Sequence, residues 1–329
     1  MESTGKRDYL QVDDSWDVIY GIKSFTEYVE RFVVKGRFNP HVPKDVREAF
    51  VLAEYMMAHS YHHYPLYDEA LSKVLRIIEM AVKFRCKELG IETEQFNPRW
   101  NRTVERNLSK LMEQLALTEP HKDLKHSFDS ARTLRNSIMH PKHHSFSGAM
   151  SNGYLQHSVN MLNRIFIKDT YFKRCEEQLT SVNDAIQSFH SGLSVLSLDD
   201  GFSAFYNLQV EAVAKLDGDW QYLFTAWPVL FQDTAKELEE HSYRFLPLII
   251  EGVKLKTTND AIELTDANRK QYVFQKTTDV FIDEVYHSYL KSFEQASEND
   301  QIFYTMHMRG EINKADNAFW YNRLHLIDE

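Results

Sequence analysis

The chain has 329 residues, of which 43% are hydrophobic and 26% charged, as in a globular protein with a sizeable core. Its 11 glycines and 8 prolines are too few for a disordered chain or a turn-dense all-β fold. The formal net charge of −10 argues against broad nonspecific binding to nucleic acid, although a small basic site is compatible with it.

The sequence favours a soluble, cytoplasmic protein that does not enter a membrane. The first eight residues contain no hydrophobic run, so no signal peptide is expected. The most apolar stretch, Phe245–Val253, is too short to span a bilayer. The two cysteines, Cys86 and Cys175, are expected to be free thiols in preference to a single disulfide, and they are too few for a cysteine-cluster metal site.

Amphipathic helices are predicted throughout residues 44–168, because apolar side chains recur there at helical spacing. Short loops between consecutive helices indicate an antiparallel bundle. Residues 1–43 form an N-terminal extension without a preferred docking site. The predicted helices are one through Val46 and Met57, one through Leu71 and Leu89 that ends at Gly90, and three over about Thr103–Leu117, Asp123–Met139 and Tyr154–Lys168.

Residues 169–329 are predicted to form a smaller α+β domain, so the expected fold class is mainly α, with a helical bundle followed by that domain. Helices are expected over Glu176–Ser191, Ala204–Leu216 and Thr278–Ala296. Runs of β-branched and aromatic residues predict strands over Phe245–Lys256, Ala261–Leu264, Gln271–Lys276, Gln301–Arg309 and Phe319–Leu326.

The stretch that ends the fourth bundle helix carries the most chemical information. Asn136 and His140 are four residues apart and share a polar face, while Arg135 borders the apolar stripe. Arg135 and His140 are about 140° apart on an ideal helix and do not converge. Pro141 disfavours the helical conformation at His140 and would release its side chain, or two copies of the element could meet in a dimer. The apolar stripe comprises Phe128, Ala131, Leu134 and Ile138.

The segment Arg135-Asn136-Ser137-Ile138-Met139-His140 resembles the Arg-Asn-x-x-x-His signature of the HEPN superfamily (higher eukaryotes and prokaryotes nucleotide-binding). Its members are small helical bundles, and many are metal-independent ribonucleases of toxin–antitoxin, CRISPR and phage-defence systems. The resemblance covers about residues 44–168 and does not extend to the C-terminal half. It implies an endoribonuclease, which is a nuclease and a hydrolase, of toxin or antiviral-defence type. Such an enzyme needs no metal or cofactor, and its homodimer brings two motifs together at the interface.

The residue types of the motif suit RNA cleavage. His140 can accept the proton of a ribose 2′-hydroxyl or protonate the leaving 5′-oxygen. Arg135 can stabilise the negative charge that builds on the phosphorane, and Asn136 can orient the imidazole or contact phosphate. A 2′-hydroxyl nucleophile leaves a 2′,3′-cyclic phosphate and a 5′-hydroxyl.

Local charge agrees with an RNA substrate. Between His121 and His144 there are five basic and two acidic residues, a net charge of +3, together with five histidines. A basic patch on an acidic protein suits a focused phosphate site. The expected substrate-binding residues are Arg132, Lys142, His143 and His144.

Three alternatives remain open. The domain could be a non-catalytic HEPN-like module that recruits RNA, a nucleotide or a protein partner, whereas in the ribonuclease interpretation the C-terminal domain senses, regulates or contacts a regulatory protein partner. Arg135 and His140 could simply complement the dipole of a helix C-terminus, with Glu79 as an ionic partner for Arg135. The His140–His144 segment could also bind zinc or nickel, although no carboxylate or cysteine lies close to it in sequence.

Overall fold

The computed structural model describes residues 9–139, 148–198, 201–229, 240 and 246–328. The chain forms two compact units, one comprising Met1–Asp169 with Leu324–Glu329 and the other Thr170–Arg323. Within these described ranges, no helix has both the length and the apolar character needed to cross a bilayer. Cys86 and Cys175 are both free and buried, as predicted.

The first unit is built around one long central helix. Its described helices are α1 (Ser15–Tyr20), α2 (Phe25–Phe32), α3 (Lys44–His59), α4 (Leu66–Glu88), α5 (Leu108–Ala116), α6 (Lys125–Met139) and α7 (Asn152–Phe166). Helix α4 packs against α3, α5, α6 and α7. Its buried stripe, with Leu71, Val74 and Ile78 among its members, follows the helical periodicity that the sequence predicted. Three short 3-10 helices complete the unit at Glu119–Leu124, Gly148–Ser151 and Leu324–Leu326.

The N-terminal extension belongs to the first unit. Trp16 on α1 is fully buried, and its indole nitrogen donates to the carbonyl oxygen of Ser60 at 2.8 Å. Its ring lies 4.5 Å from that of Tyr28 and 4.9 Å from that of Tyr64. This aromatic cluster packs α1 and α2 against the residues that connect α3 to α4.

A β-hairpin interrupts the predicted third helix. Strands β1 (Glu94–Asn97) and β2 (Arg102–Glu105) pair in antiparallel fashion, and α5 begins only at Leu108. Asn107 caps α5 by accepting a hydrogen bond from the Ser109 amide at 2.9 Å. The prediction of a helix from Thr103 was therefore wrong by five residues, because a capping residue starts the helix later than its apolar periodicity suggests.

The second unit contains a closed antiparallel barrel. Its strands are β3 (Ser194–Leu198), β4 (Gly201–Leu216), β5 (Asp219–Pro228), β6 (Leu248–Thr257), β7 (Ala261–Asp266) and β8 (Gln271–Lys276), and β8 pairs with β3 to close the sheet. Helices α8 (Asp169–His190), α9 (Val280–Gln295) and α10 (Glu298–Tyr321) flank it in sequence. Side chains such as Val210, Phe224 and Phe274 fill the barrel core, together with Ile186 and Phe189 of α8.

The predicted fold class was wrong for this half of the chain, which is a closed six-stranded barrel with long helices and not a small α+β domain. The predicted helix Ala204–Leu216 is strand β4. Its pairing with β5 shifts register between Tyr206 and Gln209 and again between Val210 and Ala212. These irregularities interrupt the alternation by which a strand is recognised, so helix-favouring residues such as Ala and Leu misled the prediction.

The predicted strands Gln301–Arg309 and Phe319–Leu326 were also wrong. Residues 301–309 and 319–321 lie in helix α10, and a 3-10 helix follows at Leu324–Leu326. Ser297 caps α10 by accepting from the Asp300 amide at 3.2 Å. Tyr304, Met308 and Ile312 recur every four residues and pack against Trp227 of the barrel. Burial against the barrel thus outweighs the intrinsic preference of Tyr304 and Ile312 for strands.

Candidate functional site

The predicted apolar stripe of α6 is packed at its start and more open near the motif. Phe128 and Ala131 are buried, whereas Leu134 and Ile138 are only half-buried. The second half of α6 is therefore held less by apolar burial than the sequence indicated. A polar contact supplies part of the stabilisation that apolar burial does not provide in this half of α6.

That contact is an ion pair between Arg135 and Glu79. Nε of Arg135 on α6 faces Oε1 of Glu79 on α4, and the two side chains are 36% and 20% exposed. The contact is ionic and is not a hydrogen bond, since the buried Oε1 of Glu79 has no hydrogen-bond partner among the described residues. The pair fixes Arg135 against the central helix while its side chain remains partly open to solvent. Glu79 was among the partners considered from the sequence, and the structure selects it.

The neighbouring polar residues lie on the outer face of α6. Asn136 is exposed. Arg132, four residues earlier and thus on the same face, forms an exposed ion pair with Asp129 at 3.2 Å. An exposed pair of this kind contributes little to stability and opens readily. Arg132 and Asn136 therefore present a donor-rich strip that a phosphate chain could contact.

His140, Lys142, His143 and His144 lie outside the described residues, which end at Met139 and resume at Gly148. The Gly148 amide donates to Oδ1 of Asp68 on α4 at 3.0 Å. The Ala149 amide donates to the Tyr64 hydroxyl at 3.2 Å. Gly148 has a positive φ of 49°, and an added Cβ would overlap the Tyr64 side chain, so this position requires glycine.

Two histidines near α6 have structural roles. His121 is fully buried, with Nε2 donating to the Ile165 carbonyl oxygen at 3.0 Å and Nδ1 lying 2.8 Å from Oγ1 of Thr118. His157 on α7 lies 2.9 Å from Oγ of Ser127 on α6. Burial lowers the pKa of both imidazoles, because the interior disfavours their charged form.

His126, by contrast, is exposed on α6. Of the five histidines between His121 and His144, His121 is buried and His126 is exposed. The other three lie outside the described part of the chain. Among the residues that the structure describes, no group of three His, Cys, Asp or Glu side chains could hold a metal ion.

A groove between α5 and α6 was missed from the sequence. Its volume is about 160 Å³, and Arg132 stands at its rim. The walls come from helices separated by a turn of 3-10 helix, so no short motif could reveal them. The lining residues are Ser109, Met112, Glu113, Ala116, Leu117, Lys125, Phe128, Asp129 and Arg132.

The chain matches no protein-family model, no curated protein and no solved structure. The resemblance to the HEPN superfamily therefore rests on the six-residue motif and its helical context. What the site does has to be argued from its side chains.

Proposed function

We propose that the first unit is a metal-independent endoribonuclease of HEPN type in which Arg135, Asn136 and His140 act on the RNA backbone. The observation that carries this proposal is the contact between Arg135 and Glu79. The contact holds a half-exposed guanidinium against α4, beside exposed Asn136 and near the end of the helix that precedes His140 in the sequence. A charge placed before the substrate arrives stabilises a transition state without reorganisation.

The proposed reaction is an internal transesterification. The ribose 2′-oxygen attacks phosphorus, and the bond from phosphorus to the 5′-oxygen breaks. A histidine removes the 2′ proton, and a second proton is delivered to the leaving oxygen. The terminal nitrogens of Arg135 stabilise the equatorial oxygens of the phosphorane, while Nε stays with Glu79. The products are a 2′,3′-cyclic phosphate and a 5′-hydroxyl.

A homodimer would supply both the acid and the base. One His140 per chain cannot accept and donate in the same step, whereas two motifs related by a two-fold axis provide two imidazoles. Light scattering on the purified protein should give the mass of a dimer. A strictly monomeric protein that cleaves RNA would contradict the composite site.

The decisive experiment is an RNA cleavage assay with and without EDTA. Wild-type protein should cleave single-stranded RNA in EDTA and leave 2′,3′-cyclic phosphate ends. His140→Ala should lose roughly 10²–10⁴-fold in rate, the usual contribution of general acid–base catalysis. His126→Ala is the matched control, since it removes an exposed histidine from α6, the helix that precedes His140 in the sequence. Full cleavage by a folded His140→Ala protein, or complete inhibition by EDTA, would refute the proposal.

A second candidate is a non-catalytic module that recruits RNA, a nucleotide or a protein. The formal net charge of −10 favours it, because an acidic chain is better suited to contacts with a protein partner than to broad contact with RNA. RNA binding by wild-type protein without any cleavage would support this candidate over the enzyme. In either case the proposed role is that of a toxin or antiviral-defence effector, with the second unit available for regulation by a protein partner.

A further inference from the structure

The β1–β2 hairpin exposes two large aromatic side chains. Phe96 is 62% exposed and Trp100 57% exposed. Arg99 and Arg102 are exposed beside them. The guanidinium carbon of Arg102 lies 5.2 Å from the centroid of the Trp100 ring, within the range of a cation–π contact. The motif considered from the sequence does not include this surface.

The turn of the hairpin is ordered by its own side chains. Oδ1 of Asn97 accepts from the Arg99 amide at 3.0 Å and from the Trp100 amide at 3.4 Å. Asn101 closes the turn with a φ of 46°. The turn therefore holds Trp100 and its neighbouring arginine in place without covering them.

Charge indicates what the hairpin would contact. The two arginines of the hairpin lie at its turn, whereas its two acidic residues, Glu94 and Glu105, pair with each other at the opposite end, where Glu105 is in ionic contact with Lys83. Exposed aromatic rings interleaved with arginines are the means by which proteins bind single-stranded nucleic acid, since bases stack on the rings and phosphates meet the guanidinium groups. An acidic partner surface would satisfy the arginines but would gain little from the rings.

The hairpin is tethered close to the candidate site. Nζ of Lys83 on α4 lies 2.6 Å from Oε2 of Glu105, at the end of β2. Glu79, which contacts Arg135, is four residues before Lys83 on the same face of α4. The two anchoring residues are thus separated by about 6 Å along the helix axis.

We propose that the β1–β2 hairpin is a binding arm for single-stranded RNA. Phe96 and Trp100 stack on successive bases, and Arg99 and Arg102 contact the intervening phosphates. Base-paired RNA is disfavoured because its bases are stacked on one another and are not available to the rings. If the hairpin delivers substrate to Arg135, that part of the inference rests on the proposed function. RNA binding by the hairpin does not, because it can be measured without cleavage.

The test is an affinity measurement on the full chain carrying His140→Ala, so that the probe stays intact. A fluorescein-labelled single-stranded oligouridylate is titrated with protein and followed by fluorescence anisotropy. Phe96→Ala combined with Trp100→Ala should weaken binding at least roughly 10-fold, as expected for loss of base stacking. Arg99→Gln with Arg102→Gln should lower the slope of log affinity against log salt by about 1.4. The control is Val51→Ala with Tyr55→Ala, an exposed apolar pair on α3.

A second readout does not depend on truncating the hairpin. RNA should quench the emission of exposed Trp100, and Trp100→Phe should remove the quenching while preserving affinity. The inference is overturned if the variant carrying Phe96→Ala and Trp100→Ala binds RNA as tightly as the control variant. It is also overturned if the His140→Ala protein does not bind RNA. The hairpin is then a surface for a protein partner. If the wild-type protein binds RNA through the hairpin but does not cleave it, the ribonuclease proposal alone is refuted. If the hairpin variant binds and cleaves RNA normally, the binding arm alone is refuted.

Discussion

Nε of Arg135 and Oε1 of Glu79 are in ionic contact, and this contact joins the second half of α6 to the central helix α4. The stripe of α6 that should anchor it by burial is only half-buried at Leu134 and Ile138. The ion pair therefore has two roles in our interpretation. It holds the second half of α6 against α4, and in the proposed mechanism it positions the guanidinium of Arg135.

The first prediction concerns stability. Glu79→Gln should lower the free energy of unfolding by about 1–3 kcal/mol, because it leaves a partly buried guanidinium without its counter-charge. Arg132→Gln is the control, since it removes the exposed pair with Asp129 on the same helix and should cost about 0–1 kcal/mol. Urea unfolding followed by circular dichroism measures both. Equal losses in the two variants would show that the Glu79 contact does not hold α6.

The second prediction separates the charge of Arg135 from its shape. Arg135→Ala should lower the RNA cleavage rate by roughly 10²–10³-fold through loss of charge stabilisation. Arg135→Lys should recover only part of this rate, because an ammonium group lacks the planar, two-pronged donor. The combination with His140→Ala should be little worse than either single variant, since both residues act in one transition state. Full rescue by lysine would mean that only a point charge is needed.

The third prediction is a loss of stability in mild acid. Burial lowers the pKa of His121 and His157 below the ordinary value of 6.5, so the unfolded chain takes up these protons first. Their contribution is complete above pH 6.5 and is lost as the pH falls from there towards the lowered pKa values. The melting temperature should therefore drop as the pH falls from about 6.5 to about 5.5.

A variant pair tests the origin of this pH dependence. His121→Gln should flatten the dependence of melting temperature on pH, whatever its effect at neutral pH. His126→Gln is the control, because it removes an exposed histidine from α6. The same slope in both variants would mean that groups other than His121 control acid sensitivity.

The fourth prediction contrasts two glycines of the second unit. A Cβ added at Gly252 on β6 would lie 2.9 Å from Cγ of Leu264 and closer still to Cδ1, so Gly252→Ala should destabilise the barrel by about 1–3 kcal/mol. At Gly310, inside α10, an added Cβ meets nothing within 4 Å, and Gly310→Ala should stabilise by up to about 1 kcal/mol. Thermal unfolding of both variants gives the two signs. A neutral Gly252→Ala would show that Leu264 can move aside.

Local periodicity was enough to predict much of the helical unit. Helix α3 begins at Lys44, and α4 ends just before Gly90, whose φ of 70° suits the end of a helix. Strand β8 spans the predicted residues 271–276. In these segments the intrinsic preference of each residue for helix or strand agrees with the burial that the fold gives it. The local sequence is therefore enough to indicate the secondary structure. The Arg-Asn-x-x-x-His motif is visible for the same reason, because it occupies six consecutive positions.

Contacts between distant residues decided the rest. Strand β4 buries Val213 in the barrel core and Ala212 and Ala214 against Phe319 of α10, a division that appears only once the barrel closes through β3 and β8. The sequence suggested Glu79 as an ionic partner for Arg135, and the packing of α6 on α4 is what brings the two side chains into contact. The amino-acid sequence by itself thus determined the bundle helices α3, α4, α6 and α7 and the motif, whereas the barrel, the helical state of α10 and the ionic contact depend on surfaces that tertiary packing brings together.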